Sequence, residues 1–222
     1  MTENALAAWR QPVAPARATI SGQYVRLEPL DAHEHGESLA AAFAADETLW
    51  NFMAYGPFEA TEFCLWLEAR EKLVDPMIFA IVEAASGRAL GLLGMMAIRP
   101  EAGVVELGHI VMGKDLQRTS AATEAIYLAL RTLFDLGYRR IEWKCDARNS
   151  ASKRAARRFG FLFEGLFHQH MVVKGANRDT AWFAMLDAEW AARRTAFEGW
   201  LKPENFDAAG RQLRPLVLFD PD

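Results

Sequence analysis

Val104-Val-Glu-Leu-Gly-His-Ile-Val-Met112 runs through Gly-Lys-Asp-Leu-Gln117-Arg-Thr-Ser120 into Ala-Ala-Thr-Glu124, and the reading of this stretch decides the fold. An apolar strand passes into a short polar loop, and the loop opens a helix. From Ala122 to Leu136 the residues Ile126, Leu130, Leu133 and Phe134 recur at helical spacing, and Gly137 stops the run. Arg140 to Ala147 then alternates, with Ile141, Trp143, Cys145 and Ala147 on one side and Glu142, Lys144 and Asp146 on the other. A strand, a crossover helix and a second strand predict a parallel pair. Free N–H groups and the positive end of the helix dipole gather at Gln117 to Thr123, which suits a phosphate; the same end also reads as a plain N-cap by Thr119 or Ser120.

Upstream, Gln23 to Pro29 alternates like a strand, and Asp31 with Glu34 three residues on opens a helix reaching about Ala45. Trp50 to Phe58 is an aromatic loop ending in Gly56-Pro57. Thr61 is the expected cap of a second helix carrying Phe63, Trp66, Leu67, Arg70 and Leu73, closed by Pro76. Met77–Glu83, Ala89–Ile98 and Val104–Met112 are apolar runs joined by short Gly-containing turns, the pattern of antiparallel hairpins. Downstream of the parallel pair, a helix opens at Asn149-Ser150 and stops at Gly160. Strands follow near Phe161–Val173 and Thr180–Leu186, then a helix from about Ala188 to Leu201. The expected class is mixed α/β, a mostly antiparallel sheet of about seven strands flanked by helices. Residues 1–20 are expected as a flexible arm, 21–201 as one domain, and 202–222 as a tail packed on the surface or loose.

Composition narrows the function. The 222 residues carry 25 Lys+Arg against 29 Asp+Glu, a net charge of −4, and 51% are hydrophobic, so a disordered or fibrous chain is excluded. An acidic balance argues against a general nucleic-acid or anionic-membrane binder. The longest charge-free apolar run, Ala89 to Ile98, is far short of the ~20 residues of a spanning helix. Two cysteines, Cys64 and Cys145, make neither a disulfide framework nor a four-cysteine zinc site, and they suit a reducing cytoplasm.

Asp146-Ala-Arg-Asn149-Ser-Ala-Ser152-Lys-Arg-Ala-Ala-Arg-Arg-Phe159-Gly160-Phe161 is a second strand-to-helix passage. Its cations Arg148, Lys153, Arg154, Arg157 and Arg158 form either a solvated face or a receiver for an anion. Together, Gln117-Arg-Thr-Ser120-Ala-Ala122, Thr123-Glu124-Ala125, Asn149-x-x-Ser152 and Gly160-Phe161-x-x-Glu164-Gly165 resemble the GNAT superfamily of acyl-CoA N-acyltransferases, in its RimJ/RimL-like branch. The resemblance spans about Gly22 to Leu201. Ser120 stands where the family's phosphate loop usually has glycine, and Ala156 where many relatives place a tyrosine proton donor.

The resemblance implies a splay between the two central parallel strands that admits the pantetheine arm of acetyl-CoA or another acyl-CoA, with no metal. Ile110 and Met112 would pair with the pantetheine amides. Gln117, Arg118, Thr119, Ser120, Ala121, Ala122 and Thr123 would hold the pyrophosphate, with Asn149 and Lys153 completing the cofactor side. It implies an N-acyltransferase in which an amine attacks the thioester directly. Glu106 stands where several relatives carry the general base, though it also reads as an outward strand carboxylate; Ser152 matches the branch's proton donor to the thiolate.

For the acceptor, a small amine or a peptide N-terminus, the expected wall is Trp50, Phe52, Tyr55, Met95, His109 and His168, while the aromatics of the loop equally suit a core plug. His109 is expected on the face of Leu107 and Val111. Cys145 reads as a buried structural thiol, and His168 with His170 lacks the companions of a metal site. No Gly-x-Ser-x-Gly, Walker loop or Gly-x-Gly-x-x-Gly occurs, so hydrolase, NTPase and dinucleotide readings lose support. Two alternatives remain at this stage: a CoA-binding sensor without catalysis, and an enzyme using a longer donor such as succinyl-CoA. The expected partner is the amine acceptor, with no nucleic acid or membrane; a homodimer is allowed.

Overall fold

The structure, a computed structural model, describes residues 8–218. The outermost parts of the expected arm and tail, residues 1–7 and 219–222, lie outside the described residues. Eight strands form one sheet: β1 (Ile20–Ser21), β2 (Val25–Pro29), β3 (Met77–Glu83), β4 (Ala89–Arg99), β5 (Val104–Met112), β6 (Arg140–Asp146), β7 (Leu162–Val173) and β8 (Ala176–Leu186). Their order across the sheet is β1-β2-β3-β4-β5-β6-β8-β7. Only β5 and β6 pair in parallel, joined by the crossover helix α3 (Ser120–Asp135). The expected seven strands become eight because Ile20, the last residue of the expected arm, and Ser21, the first of the domain, pair with Leu27 and Arg26.

Helices α1 (Ala32–Ala44) and α2 (Ala60–Glu71) cover one face, where Leu39, Phe43, Phe63 and Leu67 pack on Ile78, Ala80, Leu92 and Val111. On the other face lie α3, α4 (Ser150–Arg158) and α5 (Asp187–Trp200), packed on Phe79, Leu93, Leu107, Ile141 and Phe183. α3 is buried almost all round, from Ala121 to Leu130 and again at Leu133 and Phe134, because the sheet lies on one side and α5 on the other.

Local capping differs from expectation in two places. Asp31 accepts the N–H groups of His33 and Glu34, but its own N–H goes to His35 Nδ1 rather than to Glu34. The N-cap of α2 is Glu59, whose N–H is accepted by Glu62 at 3.4 Å, and Thr61 falls inside the first turn. The N-terminal segment runs against the domain: the Arg17 guanidinium donates to the carbonyls of Leu30 and Leu73 at 2.9 and 3.2 Å. In the tail, Leu216 and Leu218 pack on the larger core.

Within α3, the Glu124 carboxylate accepts the backbone N–H groups of Gln23, Tyr24 and Val25 at 2.8, 2.5 and 2.9 Å. It ties the first turns of the crossover helix to the start of β2. Gly22 is required there, since a Cβ would stand 2.6 Å from that carboxylate.

Candidate active site

Pairing between β5 and β6 covers only Val104–Leu107 against Arg140–Trp143. Beyond Leu107 and Trp143 the strands part, and Gly108, His109, Ile110 and Met112 are left partly exposed along an edge. The cause is local. Against β4 the register slips, so that three steps from Gly108 to Val111 face two steps from Gly94 to Leu92. The extra residue is absorbed by His109 at φ 49°, a bulge that bends β5 away from its parallel neighbour.

The bulge also corrects a placement. Leu107 packs in the α3 cluster, whereas Val111 packs under α1 and α2, so the two do not share a face. His109 turns to the α1/α2 side, where its Nδ1 and the Tyr55 hydroxyl are hydrogen-bonded at 2.8 Å and the two rings stack 5.6 Å apart. Burial lowers the His109 pKa to about 4, with the Arg70 charge acting in the same direction, so the imidazole is neutral near pH 7. Burial likewise raises the Tyr55 pKa, keeping its proton available for that bond.

The loop after β5 turns tightly. Gly113 N–H goes to Leu90 O at 2.9 Å, and the N–H groups of Leu116 and Gln117 return to Gly113 O at 3.0 and 3.1 Å. Arg118 sits at φ 63°, and Thr119 caps α3 by accepting the Ala122 N–H at 3.1 Å. Thr123 N–H is also engaged, by Thr119 O at 3.4 Å. Of the residues expected to donate to a pyrophosphate, Gln117, Thr119, Ala122 and Thr123 therefore spend their N–H groups inside the protein. Those of Arg118, Ser120 and Ala121 have no backbone acceptor, and the last two stand at the positive end of α3. Gln117 Nε2 donates to Met112 O at 2.9 Å, so a ligand amide at that carbonyl would share it with Gln117.

Across the opening, Asn149 caps α4 by accepting the Ser152 N–H at 2.9 Å, and Lys153 N–H bonds Asn149 O at 3.1 Å. Ser152 Oγ accepts the Trp143 indole N–H at 2.9 Å. That bond occupies a lone pair and leaves the hydroxyl proton to be donated. Next to it, burial raises the Cys145 pKa against the opposing effect of the Ser152 hydroxyl, which keeps the thiol protonated and inert. Arg148 leaves the expected cation cluster, because its guanidinium binds Asp146 at 3.0 and 2.7 Å. Arg158 reaches across to Thr123 Oγ1 at 3.1 Å and holds α4 against α3.

Glu106 lies on the floor of the opening and is only 7% exposed. Its carboxylate is 2.8 Å from Lys144 Nζ, which also contacts Glu142 at 3.1 Å and lies 3.8 Å above the Trp182 ring. Burial raises the Glu106 pKa, Lys144 opposes that, and Glu142 adds to it. The polar side of β6 is therefore not solvent-facing as alternation predicts. Glu142 is buried with Arg99 and Arg140 at 3.3 and 2.9 Å, because this sheet face forms the wall of a cleft rather than the surface of a domain.

Of the expected acceptor wall, Tyr55, Phe52 and His109 are partly exposed. Trp50 and Met95 are core residues: Trp50 packs edge-on to Phe43 and Phe58, and Met95 is fully buried in the α3 cluster. His168 lies on β7 with its side chain 75% exposed, bound to Asp179 at 3.1 Å. The sequence reading passed over Lys144, Trp182, Arg70 and Arg178, which belong to this cleft. The cross-strand register, Lys144 against Trp182 and Glu106 against Glu142, brings the strand residues to one face, while Arg70 comes from the last turn of α2. Three residues of β7, His168 to His170, stand opposite Asp179 alone, and this bulge bends the β7–β8 hairpin. At its tip Lys174 Nζ donates to Trp50 O at 2.9 Å, on the far side of β5 and β6.

Among the described residues no group of three or more His, Cys, Asp or Glu could hold a metal, and no helix is long and apolar enough to cross a membrane. A comparison with curated proteins found no match. Among solved structures, a GCN5-related N-acetyltransferase from Brucella melitensis is 48% identical over 94% of this chain and 96% of its own, with a TM-score of 0.91. A probable GNAT-family acetyltransferase from Chromobacterium violaceum is 46% identical over 86% of this chain and 98% of its own, at a TM-score of 0.81. The microcin C7 self-immunity acetyltransferase, solved with acetyl-CoA and AMP, is 19% identical over 74% of this chain and 93% of its own at a TM-score of 0.65, and shows the shared fold. The family model described as "Acetyltransferase (GNAT) domain" matches residues 25–162, and the chain belongs to that acyltransferase family.

Proposed function

We propose that this chain transfers an acetyl group from acetyl-CoA to a primary amine, on a small molecule or a peptide N-terminus, by direct attack. The observation that carries this is the parting of β5 from β6 at Leu107 and Trp143, with a free strand edge, a helix N-terminus and a buried carboxylate all facing the gap. Ile110 offers the strand edge to the pantetheine amides. The N–H groups of Arg118, Ser120 and Ala121 receive the pyrophosphate. Holding both substrates in one cleft supplies much of the rate for an already activated thioester.

Chemistry at the cleft needs one proton removed and one returned. An alkyl ammonium near pKa ~10 first gives one proton to solvent to free its lone pair, and Glu106, directly or through a water, accepts the second as the neutral nitrogen attacks the carbonyl. Lys144, 2.8 Å away, opposes the rise in the Glu106 pKa that burial causes. As the new C–N bond forms and the C–S bond breaks, the Ser152 hydroxyl, oriented by Trp143, donates to the leaving thiolate. The same reading puts the protein in the RimJ/RimL-like branch and in the cytoplasm, as a monomer or homodimer.

Release of free CoA on mixing acetyl-CoA with a panel of amines tests the reaction. Turnover with at least one primary amine, lowered more in kcat than in KM by Ser152→Ala, is the expected result. A chain that binds acetyl-CoA yet releases no CoA with any amine would be a sensor rather than an enzyme.

A further inference from the structure

Three arginines among the described residues have a buried Nε without an acceptor: Arg70, Arg178 and Arg193. Arg193 is held by Glu189 one helical turn away. No hydrogen bond or ion pair holds the guanidinium of Arg70 or Arg178, and both border the same cleft. Alternation along β8 puts Arg178 on the face of Thr180 and Trp182, which pair with Asp146 and Lys144; Lys144 in turn binds Glu106. Arg70, in the last turn of α2, lies 5.3 Å above the Trp66 ring; that ring is 4.7 Å from Tyr55, whose hydroxyl bonds His109. The Arg178 charge thus acts on Glu106 and the Arg70 charge on His109, two positions three residues apart on β5.

Leaving a guanidinium partly desolvated and unpaired costs free energy that an anion would offset. A simple diamine or polyamine would add positive charge where two cations already lack partners. The carboxylates nearest Arg178 are committed, Glu106 to Lys144 and Asp146 to Arg148. Burial of Glu106 raises its pKa, and the Arg178 charge works against that rise, so the guanidinium is within electrostatic reach of the floor.

We infer that the acceptor is an amine that also carries a carboxylate or phosphate, and that Arg178 and Arg70 hold this anionic group. The inference rests on the acyl-transfer reading above and adds the class of acceptor to it. Arg70 stands on α2, beside the Trp66 and Tyr55 rings rather than on the phosphate loop, which assigns the anion to the acceptor rather than to the acyl chain of the donor. A guanidinium matches either anion with paired N–H donors and fixes the direction from which the amine reaches the thioester.

Matched acceptors test it: amino acids against their amides, and phosphoethanolamine against ethanolamine, each with acetyl-CoA and with succinyl-CoA, following CoA release. With acetyl-CoA the anion-bearing member of at least one pair is expected to have the higher kcat/KM, by about tenfold or more. Arg178→Gln and Arg70→Gln should each shrink that ratio through KM, and Arg178→Lys should retain part of it. A fold defect would show as a lowered melting temperature and a weakened acetyl-CoA-induced shift, neither of which is expected. The class of acceptor is overturned if anion-free amines are used equally well or better, or if neither glutamine variant changes the ratio. Faster reaction of succinyl-CoA with anion-free amines would move the anion to the acyl chain and overturn it too. Absence of any acetyl-CoA-induced melting shift would instead count against acyl transfer itself.

Discussion

Glu106 carries opposite demands: it must be charged to accept a proton, yet it is buried. Lys144 at 2.8 Å works against the rise in pKa that burial causes. Glu106→Gln keeps the shape and loses the proton acceptor, so turnover should fall ~10²-fold or more while acetyl-CoA binding persists. The acid limb of the kcat/KM profile should vanish with it; steady-state rates across pH check both outcomes. An unchanged limb would assign the base elsewhere. His109 makes a different pH statement. Its folded pKa of about 4 lies below the ordinary 6.5, so between those values the unfolded chain binds a proton that the folded chain refuses. Stability should therefore fall as pH drops from 6.5 towards 4, by about 3 kcal/mol at the lower end. His109→Gln should flatten that part of the melting-temperature profile, read by thermal unfolding at a series of pH values.

At the scale of elements, the β7–β8 hairpin is the part whose role follows from shape alone. Its bulge at His168–His170 bends it, and Lys174 fastens its tip to Trp50. Lys174→Ala removes this bond and should raise the acceptor KM several-fold with little change in acetyl-CoA affinity, since the phosphate loop is untouched. Initial-rate kinetics with each substrate varied separates the two. Strands β3 to β5 and helix α3 were legible in the sequence because their signals are local: apolar runs between glycine turns, and Ile126, Leu130 and Leu133 at helical spacing. The parallel pair followed from the crossover. What periodicity could not give was the bulge at His109, which moves a side chain to the opposite face by one inserted residue. Nor could it give Lys144, Arg70 and Arg178, since a charge on an alternating strand or an outer helix turn looks the same whether it faces water or a cleft. Trp50 and Met95 are core residues missed for the converse reason: composition shows an aromatic loop and an apolar strand but not which of their side chains pack inward.

For the whole molecule, the prospective ligand site is spread over elements far apart in sequence, from β5 through α3 to β6 and α4. A ligand bridging them stabilises the fold as a unit. Acetyl-CoA at about a hundredfold its dissociation constant should add ~2.7 kcal/mol, seen as a raised melting temperature, and the absence of a shift would remove the cofactor assignment. The motif Thr123-Glu124-Ala125 gains a structural explanation at this scale. Glu124 faces β2 rather than a ligand and ties the crossover helix to the start of the sheet through three backbone N–H groups.

The hydrogen bond from Lys174 to Trp50 joins the hairpin to the aromatic loop, and with the sheet beneath it closes a hoop of chain. A hoop sorts by thickness before any side chain sorts by chemistry. A free metabolite or the loose end of a chain can thread it, whereas a residue on the flank of a folded partner would have to bring the partner's bulk through as well. Acceptors would then be chosen first by whether they have an end to offer, and unfastening one lysine would widen the menu.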